Sequence, residues 1–393
     1  MNLTLSDEEI AFRNEMRTFF TTEIPAEIRD RTRHAVHPNP EDLVATQRIL
    51  NAHGLAVPQW PTEWGGRDWT PMQRHIWLDE MQLASVPEPL PLNTAMVGPV
   101  IARFGSQAQK TRFLPPTANL DIAWCQGFSE PDAGSDLASL KTRAVRDGDD
   151  YIVNGQKTWT SRAQHADWIF CLVRTDPDAP KPQAGISFLL IDMATPGITV
   201  RPIKLIDGGH EVNEVFFDNV RVPAENLVGD VNAGWSYAKF LLGNERTSVT
   251  KVGASKVRVA RAKEYAAQVT VGGVTLLEDP LFAARVAELE NELLALELTQ
   301  LRIVTGPAGG GARAAAVPSL LKLRGTQLQQ AATELLLDVA GPDSLPVEAP
   351  ELVASPQWAQ RTAPIYLNYR KVSIYGGASE VQRTIIASSI LGL

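Results

Sequence analysis

Two cysteines, Cys125 and Cys171, and six histidines are few among 393 residues. Cysteine this sparse gives no disulfide framework and points to a reducing cytoplasm. Among the histidines His34 and His37 stand at helical spacing, but in a Pro-flanked segment, and no metal site is read from them. No run approaches the roughly 20 apolar residues that a spanning helix needs. The opening "MNLTLSDEEIAFRNEMRTFF" lacks the basic-then-apolar order of a secretory signal, and its acidic residues do not suit a transit peptide. Positive charge is in the minority: 37 Lys and Arg against 45 Asp and Glu leave a net charge of −8. That balance argues against a nucleic-acid or anionic-membrane surface.

What is present is the composition of an ordinary globular protein, 44% hydrophobic and 21% charged, long enough for two or three domains. The first third reads as helical. Ser6 with Glu9 makes a capping box, and Phe12, Met16, Phe19 and Phe20 share one helical face. "VPQWPTEWGGRDWTPMQRHIW" reads as packing and turn chemistry, and "SQAQKTRFLPP" as a helix stopped by Pro115 and Pro116. From about residue 120 the pattern changes. "DYIVNGQKTWTS" carries an Asn154-Gly155 turn signal. "DWIFCLVRT", "GISFLLIDM", "ITVRPIK" and "EVFFDNVRVP" are short β-rich runs, which predicts a small antiparallel barrel or sandwich. After "NAGWSYAKF" the chain turns helical again. Asp279 and Pro280 form a cap-and-first-turn pair, and Val286, Leu289, Leu293 and Leu296 repeat at helical spacing. "GPAGGGAR" (306–313) reads as a joint before a helix from Pro318 to Ala340. The expected fold is α+β and multidomain: an N-terminal all-α domain (1–120), a middle antiparallel β-barrel or sandwich domain (121–234) and a C-terminal helical bundle domain (235–393).

Three stretches carry candidate chemistry. "WCQGFSEPDAGSDLASLKTRA" (124–144) can present backbone N–H groups and the Ser129 and Ser135 hydroxyls to a ligand, or can be a plain loop. In "NGQKTWTS", Trp159 stands two residues before Ser161, so in a regular strand both side chains leave the same face. A flat aromatic beside a hydroxyl suits a planar heteroaromatic ring; a core Trp with an exposed serine satisfies the pattern equally. In "SIYGGASEVQR", Gly376 and Gly377 precede a final helix, where backbone conformation is unusual or something approaches the main chain closely.

Taken in order, "SEPDAGSDLASLKTRA", "VNGQKTWTS", "EVNEVFFDNVRVPAENLVG", "NERT" and "YGGASEVQR" resemble the acyl-CoA dehydrogenase family over essentially the whole chain, with the closest likeness to the pimeloyl-CoA dehydrogenase large-subunit type. The resemblance implies a C-terminal four-helix bundle, FAD as cofactor and α,β-dehydrogenation of an acyl-CoA thioester. It carries flavin contacts onto Gln126, Phe128 and Ser129, onto Trp159, Thr160 and Ser161, and onto the helix start at Ala378, Ser379 and Glu380. Ser135 matches a position on the substrate side. Most of the family places the catalytic acid between that Tyr and the second glycine, where this chain has Gly376. A minority, the isovaleryl and long-chain type, places it on a helix just after the β domain, and here that position is Glu245. Arg246 matches the adjoining arginine, with an orienting or electrostatic role on the substrate side, and Gly376 and Gly377 keep backbone N–H groups there. The family's electron acceptor is an electron-transferring flavoprotein, and its assemblies are dimers or tetramers.

Two family features are replaced. The arginine that faces the FAD pyrophosphate has no match in "AQVTVGGVTLLEDP". The Gln-x-x-Gly-Gly stretch that reaches a neighbouring subunit's FAD is replaced by "LLLDVAGPDSLP", in which Gly341 remains and Leu337 stands near the Gln position. A homodimer or homotetramer is the first expectation. The alternatives are a heterotetramer with a second acyl-CoA dehydrogenase-like chain, an oxidase of the same fold that uses oxygen, and a non-catalytic scaffold subunit.

Overall fold

The computed structural model describes residues 5–245, 250–305, 312–345 and 355–393. Six helices come first: α1 (Asp7–Thr22), α2 (Ala26–His34), α3 (Pro40–Ala52), α4 (Pro71–Leu83), α5 (Gly98–Phe104) and α6 (Gln107–Ala118). Seven strands follow: β1 (Trp124–Gly127), β2 (Arg143–Asp147), β3 (Asp150–Ser161), β4 (Trp168–Arg174), β5 (Ile186–Asp192), β6 (Ile198–Ile203) and β7 (Val212–Pro223). Helices then return as α7 (Gly234–Glu245), α8 (Val252–Ala266), α9 (Pro280–Thr305) and α10 (Ala312–Ala340), followed by shorter turns and a helix at Ser379–Ile386. The order is thus N-terminal helices, a middle β-sheet region and C-terminal helices. Contacts gather the chain into two compact units: Met1–Thr46 with Trp69–Glu88 and Arg246–Leu393, and Gln47–Asp68 with Pro89–Glu245.

The first unit is helical, and its helices start where the sequence caps them. Ser6 and Glu9 exchange side-chain-to-backbone bonds, and Thr70 and Gln73 do the same at the start of α4. The Asp279 carboxylate accepts from the Leu281 and Phe282 N–H groups, both at 2.9 Å, and opens α9. Val286, Leu289, Leu293 and Leu296 of α9 are buried with Val259 and Tyr265 of α8 and with Leu321, Leu328 and Leu335 of α10. Their three- and four-residue spacing puts one apolar stripe of each helix into a common core. The helix expected from Pro318 begins earlier, at Ala312, and carries Pro318 inside it. Most of the expected joint, residues 306–311, lies outside the described residues.

In the second unit, Trp60 is buried and its indole N–H donates to the Thr94 carbonyl at 2.7 Å, so the Trp-rich connection is packing, as its composition predicts. Helix α6 runs through Pro115 and Pro116 to Ala118 rather than stopping before them. The proline carbonyls remain in use: Asn119 N–H donates to Pro115 and Asp121 N–H to Pro116. Burial of Phe113, Leu114 and Thr117 outweighs the lost proline donors.

One seven-stranded sheet forms the rest, in the order β1-β4-β2-β3-β7-β6 with β5 also on β4. Most pairings are antiparallel as expected, but β1 runs parallel to β4, Trp124 to Gly127 facing Trp168 to Cys171. Cys125, Ile169, Cys171, Val173, Leu189, Ile191, Val215 and Phe217 lie buried in one core cluster, and both cysteines are free thiols.

The Asn154-Gly155 pair makes no hairpin turn. Strand β3 continues through it, because it is paired on both sides, with β2 and with β7. The dipeptide lies opposite a bulge instead. Two steps on β3, Val153 to Gly155, match three on β7, Val220 to Phe217, so the extra residue is on β7. Asn219 of β7 has φ +51°, and Gly155 adopts φ +149°. A Cβ there would lie 2.6 Å from the Thr142 Cα, so only glycine lets the strands approach. The hairpin turn lies between Asp147 and Asp150, with Gly148 at φ +60°.

Candidate active site

Strand β1 delivers Gln126 and Gly127 beside β4 and releases the chain into the segment that carries Phe128 and Ser129. Strand β3 delivers Trp159, Thr160 and Ser161 at its far end. The structure joins these two stretches. The Thr158 N–H donates to the Ser129 carbonyl at 2.9 Å, and the Lys157 ammonium donates to the Phe128 carbonyl at 3.1 Å.

A second bulge shapes the end of β3. Lys157 faces Val215 and Thr160 faces Asn213, so three steps on β3 match two on β7. Trp159 takes up the extra residue with φ +57°, a conformation that a bulky side chain rarely adopts. Strict alternation therefore fails between Trp159 and Ser161, and the bulge sets the direction of the indole. Trp159 is 59% exposed, whereas Thr160 is fully buried. A large aromatic held in strained backbone and turned to solvent is a feature of ligand sites more than of cores.

The donor set around this indole suits a flavin. Gln126, Ser129 and Ser161 are half-buried, and their side chains bond to no described residue. The Thr160 hydroxyl is buried without a hydrogen-bond partner. Phe128 is buried against Phe170 and Phe188, edge to face. An amide, three hydroxyls and an exposed aromatic face together match the mixed apolar and hydrogen-bonding demand of an isoalloxazine ring. Ser135 lies on the exposed turn between Ala133 and Leu137, with its hydroxyl likewise unbonded.

Beneath these residues lies an ion pair that sequence reasoning did not assign. Lys157 and Glu130 meet at 2.7 Å, both buried. Burial by itself pushes the Glu130 carboxyl up. The Lys157 charge and bond, with bonds from Thr142 and the Lys141 amide, more than offset this and hold it below the usual carboxylate range. Both residues lie inside the quoted motifs, and a lysine between β-branched and aromatic strand residues was the available signal.

In the helical unit, Gly376 and Gly377 adopt φ +63° and +90°, both left-handed. Ala378 caps the helix Ser379–Ile386 without a side-chain acceptor, so no cap side chain occupies its first N–H groups. The Ser379 hydroxyl donates to the Ser373 carbonyl at 3.2 Å, and Glu380 is exposed beside Arg383. Buried Lys322 of α10 donates to the Val372 carbonyl at 2.7 Å, with its ammonium 5.9 Å from the Tyr375 ring centre. Sequence reading did not single out this lysine either. Glu245 is the last residue of α7, its side chain outside what is described, and Arg246 lies outside the described residues.

Three family models cover nearly the whole chain: the acyl-CoA dehydrogenase N-terminal domain over residues 6–121, the middle domain over 125–220 and the C-terminal domain over 232–391. The chain belongs to the acyl-CoA dehydrogenase family. Acyl-CoA dehydrogenase IpdE1 of Mycobacterium tuberculosis is 36% identical over 359 residues, 91% of this chain and 89% of that protein. A chain of the ChsE4-ChsE5 complex from Mycobacterium tuberculosis superposes with a TM-score of 0.85 at 31% identity, covering 100% of this chain and 99% of its own. A chain of the Tcur3481-Tcur3483 steroid acyl-CoA dehydrogenase gives 0.85 at 28% identity, with 100% and 99% covered. An acyl-CoA dehydrogenase is an oxidoreductase, and FAD is this family's cofactor. These relatives bear other names than the pimeloyl-CoA type. No helix among the described residues is long and apolar enough to cross a membrane.

Proposed function

We propose that this acyl-CoA dehydrogenase oxidises an acyl-CoA thioester to the trans-2-enoyl-CoA, with Glu245 as the base. The observation that carries the reading is paired: glycine stands at 376, where most of the family has its acid, and a carboxylate stands at the end of α7, where the minority has it. The Glu245 carboxylate takes the α-proton, which it must approach to hydrogen-bond reach. A backbone N–H at Gly376 donates to the thioester oxygen as enolate charge develops there. Arg246, Ser135 and Gly377 act on the substrate side. FAD, when bound, would supply the acceptor for the hydride from the β-carbon. Gln126, Phe128, Ser129, Trp159, Thr160 and Ser161 would hold its ring, and the open first turn at Ala378, Ser379 and Glu380 would receive its polar oxygens. Electrons then pass to an electron-transferring flavoprotein, in a reducing cytoplasm that suits two free thiols. The division at 1–120, 121–234 and 235–393 is kept as the domain reading.

The substrate class favoured is a steroid-derived acyl-CoA, supported by the steroid acyl-CoA dehydrogenase among the similar structures. Anaerobic titration of the flavin-loaded protein with steroid-derived, dicarboxylyl, branched and medium-chain thioesters tests both points. Bleaching of the flavin band is expected, strongest with the steroid-derived thioester. Glu245→Gln is expected to retain FAD and lose bleaching rate by about 10²–10⁴-fold, the usual contribution of a general base. Unchanged bleaching in that variant would remove Glu245 from the mechanism.

A second reading concerns assembly. The segment that would hold the pyrophosphate arginine is a small hairpin, Thr270–Val271 paired with Val274–Thr275 across Gly272 and Gly273. It offers the diphosphate no cation of its own. Together with the two-chain names of the similar structures, this favours a subunit whose FAD site a second acyl-CoA dehydrogenase-like chain completes.

A further inference from the structure

We propose that the buried Glu130–Lys157 pair is a positioning device that fixes the two flavin-facing segments against each other, an inference that rests on the FAD reading above. The Lys157 ammonium is fully enclosed and makes two bonds, to the Glu130 carboxylate at 2.7 Å and to the Phe128 carbonyl at 3.1 Å. The same Glu130 oxygen accepts from the Thr142 N–H at 2.9 Å, and the other accepts from the Lys141 N–H at 2.6 Å. Glu130 also closes its own turn, exchanging both backbone bonds with Ala133 at 3.0 Å. The next residue after Lys157, Thr158, ties its N–H to the Ser129 carbonyl.

The side-chain bonds of the pair therefore tie together three stretches: 128–130, 141–142 and Lys157 of β3. The first holds Phe128 and Ser129, and the last is followed at once by Trp159. With the Phe128 and Ser129 carbonyls both turned toward β3, those two peptide planes are fixed. The bulge that sends Trp159 outward at φ +57° begins directly beyond Lys157. Without an anchor at 157 the strand is free to slip into regular pairing, which moves side chains to the opposite face.

General stability does not explain the pair. A buried ion pair is often no better for stability than apolar groups of the same volume, because desolvation offsets attraction. Its two charges cancel, so it brings no net charge to the site. What the pair does that an apolar replacement does not is bind the Phe128 carbonyl from β3 and the Lys141 and Thr142 amides from Glu130, each in a defined direction. Lys157 and Glu130 touch neither cofactor nor substrate in this reading; they act through Phe128, Ser129 and Trp159.

The test compares Lys157→Met and Glu130→Gln with Leu189→Ala, a core truncation in the same unit chosen to lower the melting temperature without touching either segment. Hydrogen–deuterium exchange is measured by mass spectrometry, and FAD affinity by flavin fluorescence, on the protein in its native assembly. For Lys157→Met, amides in 126–130 and 157–161 are expected to exchange at least tenfold faster, with 168–174 and 186–192 unchanged. FAD affinity is expected to weaken at least tenfold, beyond any change in Leu189→Ala. If Lys157→Met does not fold, Glu130→Gln, which removes the charge at constant volume, carries the same expectation. Exchange that rises evenly across the unit, or an FAD affinity no weaker than that of Leu189→Ala, would overturn the proposal. Wild-type protein that takes up no FAD would instead bring down the flavin reading itself, and this proposal with it.

Discussion

Gly376 and Gly377 both depend on the conformational freedom of glycine. Each sits at positive φ, where a Cβ costs roughly 1–2 kcal/mol by backbone strain. At Gly377 a Cβ would also lie 2.3 Å from the amide nitrogen of Gln382, the far end of a flexible side chain that can turn aside. Gly376→Ala and Gly377→Ala are each expected to lower stability by about 1–2 kcal/mol. Thermal unfolding of the two variants checks this, and negligible losses would remove the strain argument. The same φ bears on the missing acid: a glutamate at 376 would meet that strain, whereas Glu245 ends a regular helix. Dinucleotide signals of this kind were legible as special backbone but not as to which kind. Tyr-Gly-Gly before a helix and Asn-Gly between strand residues look alike in one dimension. One became a left-handed entry to a helix and the other stayed within a strand, opposite a bulge in β7, because β3 already had partners on both sides.

Helix packing in the first unit sets a pH dependence that no single motif announced. Asp79 on α4 is buried near Lys256 of α8 and Glu297 of α9, with Glu80 and Arg17 nearby, and its carboxyl is pushed up to about 6. Burial is the main cause; Glu297 and Glu80 add to it, and Lys256 and Arg17 oppose it. An acid whose folded value is raised binds its proton more tightly in the native state. Its contribution to stability is therefore full below the ordinary 3.8 and is lost as pH rises toward about 6. Asp79→Asn should then gain on the order of 2–3 kcal/mol over wild type at pH 7.5 and little at pH 4. Urea unfolding at the two values decides; a variant that loses stability at pH 7.5 would mean that Asp79 is held as a carboxylate. The helices themselves were legible, since Ser6-Glu9 and Asp279-Pro280 are local signals and the α9 stripe has one period. The Asp79 cluster was not, because its members stand far apart in sequence and only α4, α8 and α9 together bring them close. Helix α6 shows the converse, where burial of Phe113 and Leu114 overrode a local stop signal at Pro115.

The whole chain reads as an acyl-CoA dehydrogenase from ordered motifs, yet the residues proposed for FAD are unevenly equipped. Those proposed for the ring include an exposed Trp159 and unbonded hydroxyls beside a buried ion pair. The segment proposed for the diphosphate lacks the arginine that the resemblance implies and forms a glycine hairpin. Phosphate groups depend on charge-assisted bonds more than the ring does, so the deficit should appear in affinity before it appears in geometry. Under the two-chain reading, the chain purified alone is expected to be colourless or to carry well under one FAD per chain. Co-purification with a second acyl-CoA dehydrogenase-like chain should raise the visible absorbance to a full flavin per completed site. The visible spectrum of each preparation, with protein quantified beside it, measures this directly. Stoichiometric flavin in the isolated chain would mean that copies of this same chain supply the missing cation to one another. The search would then move to the basic residues of its own surface, with charge removal at each read out as loss of colour.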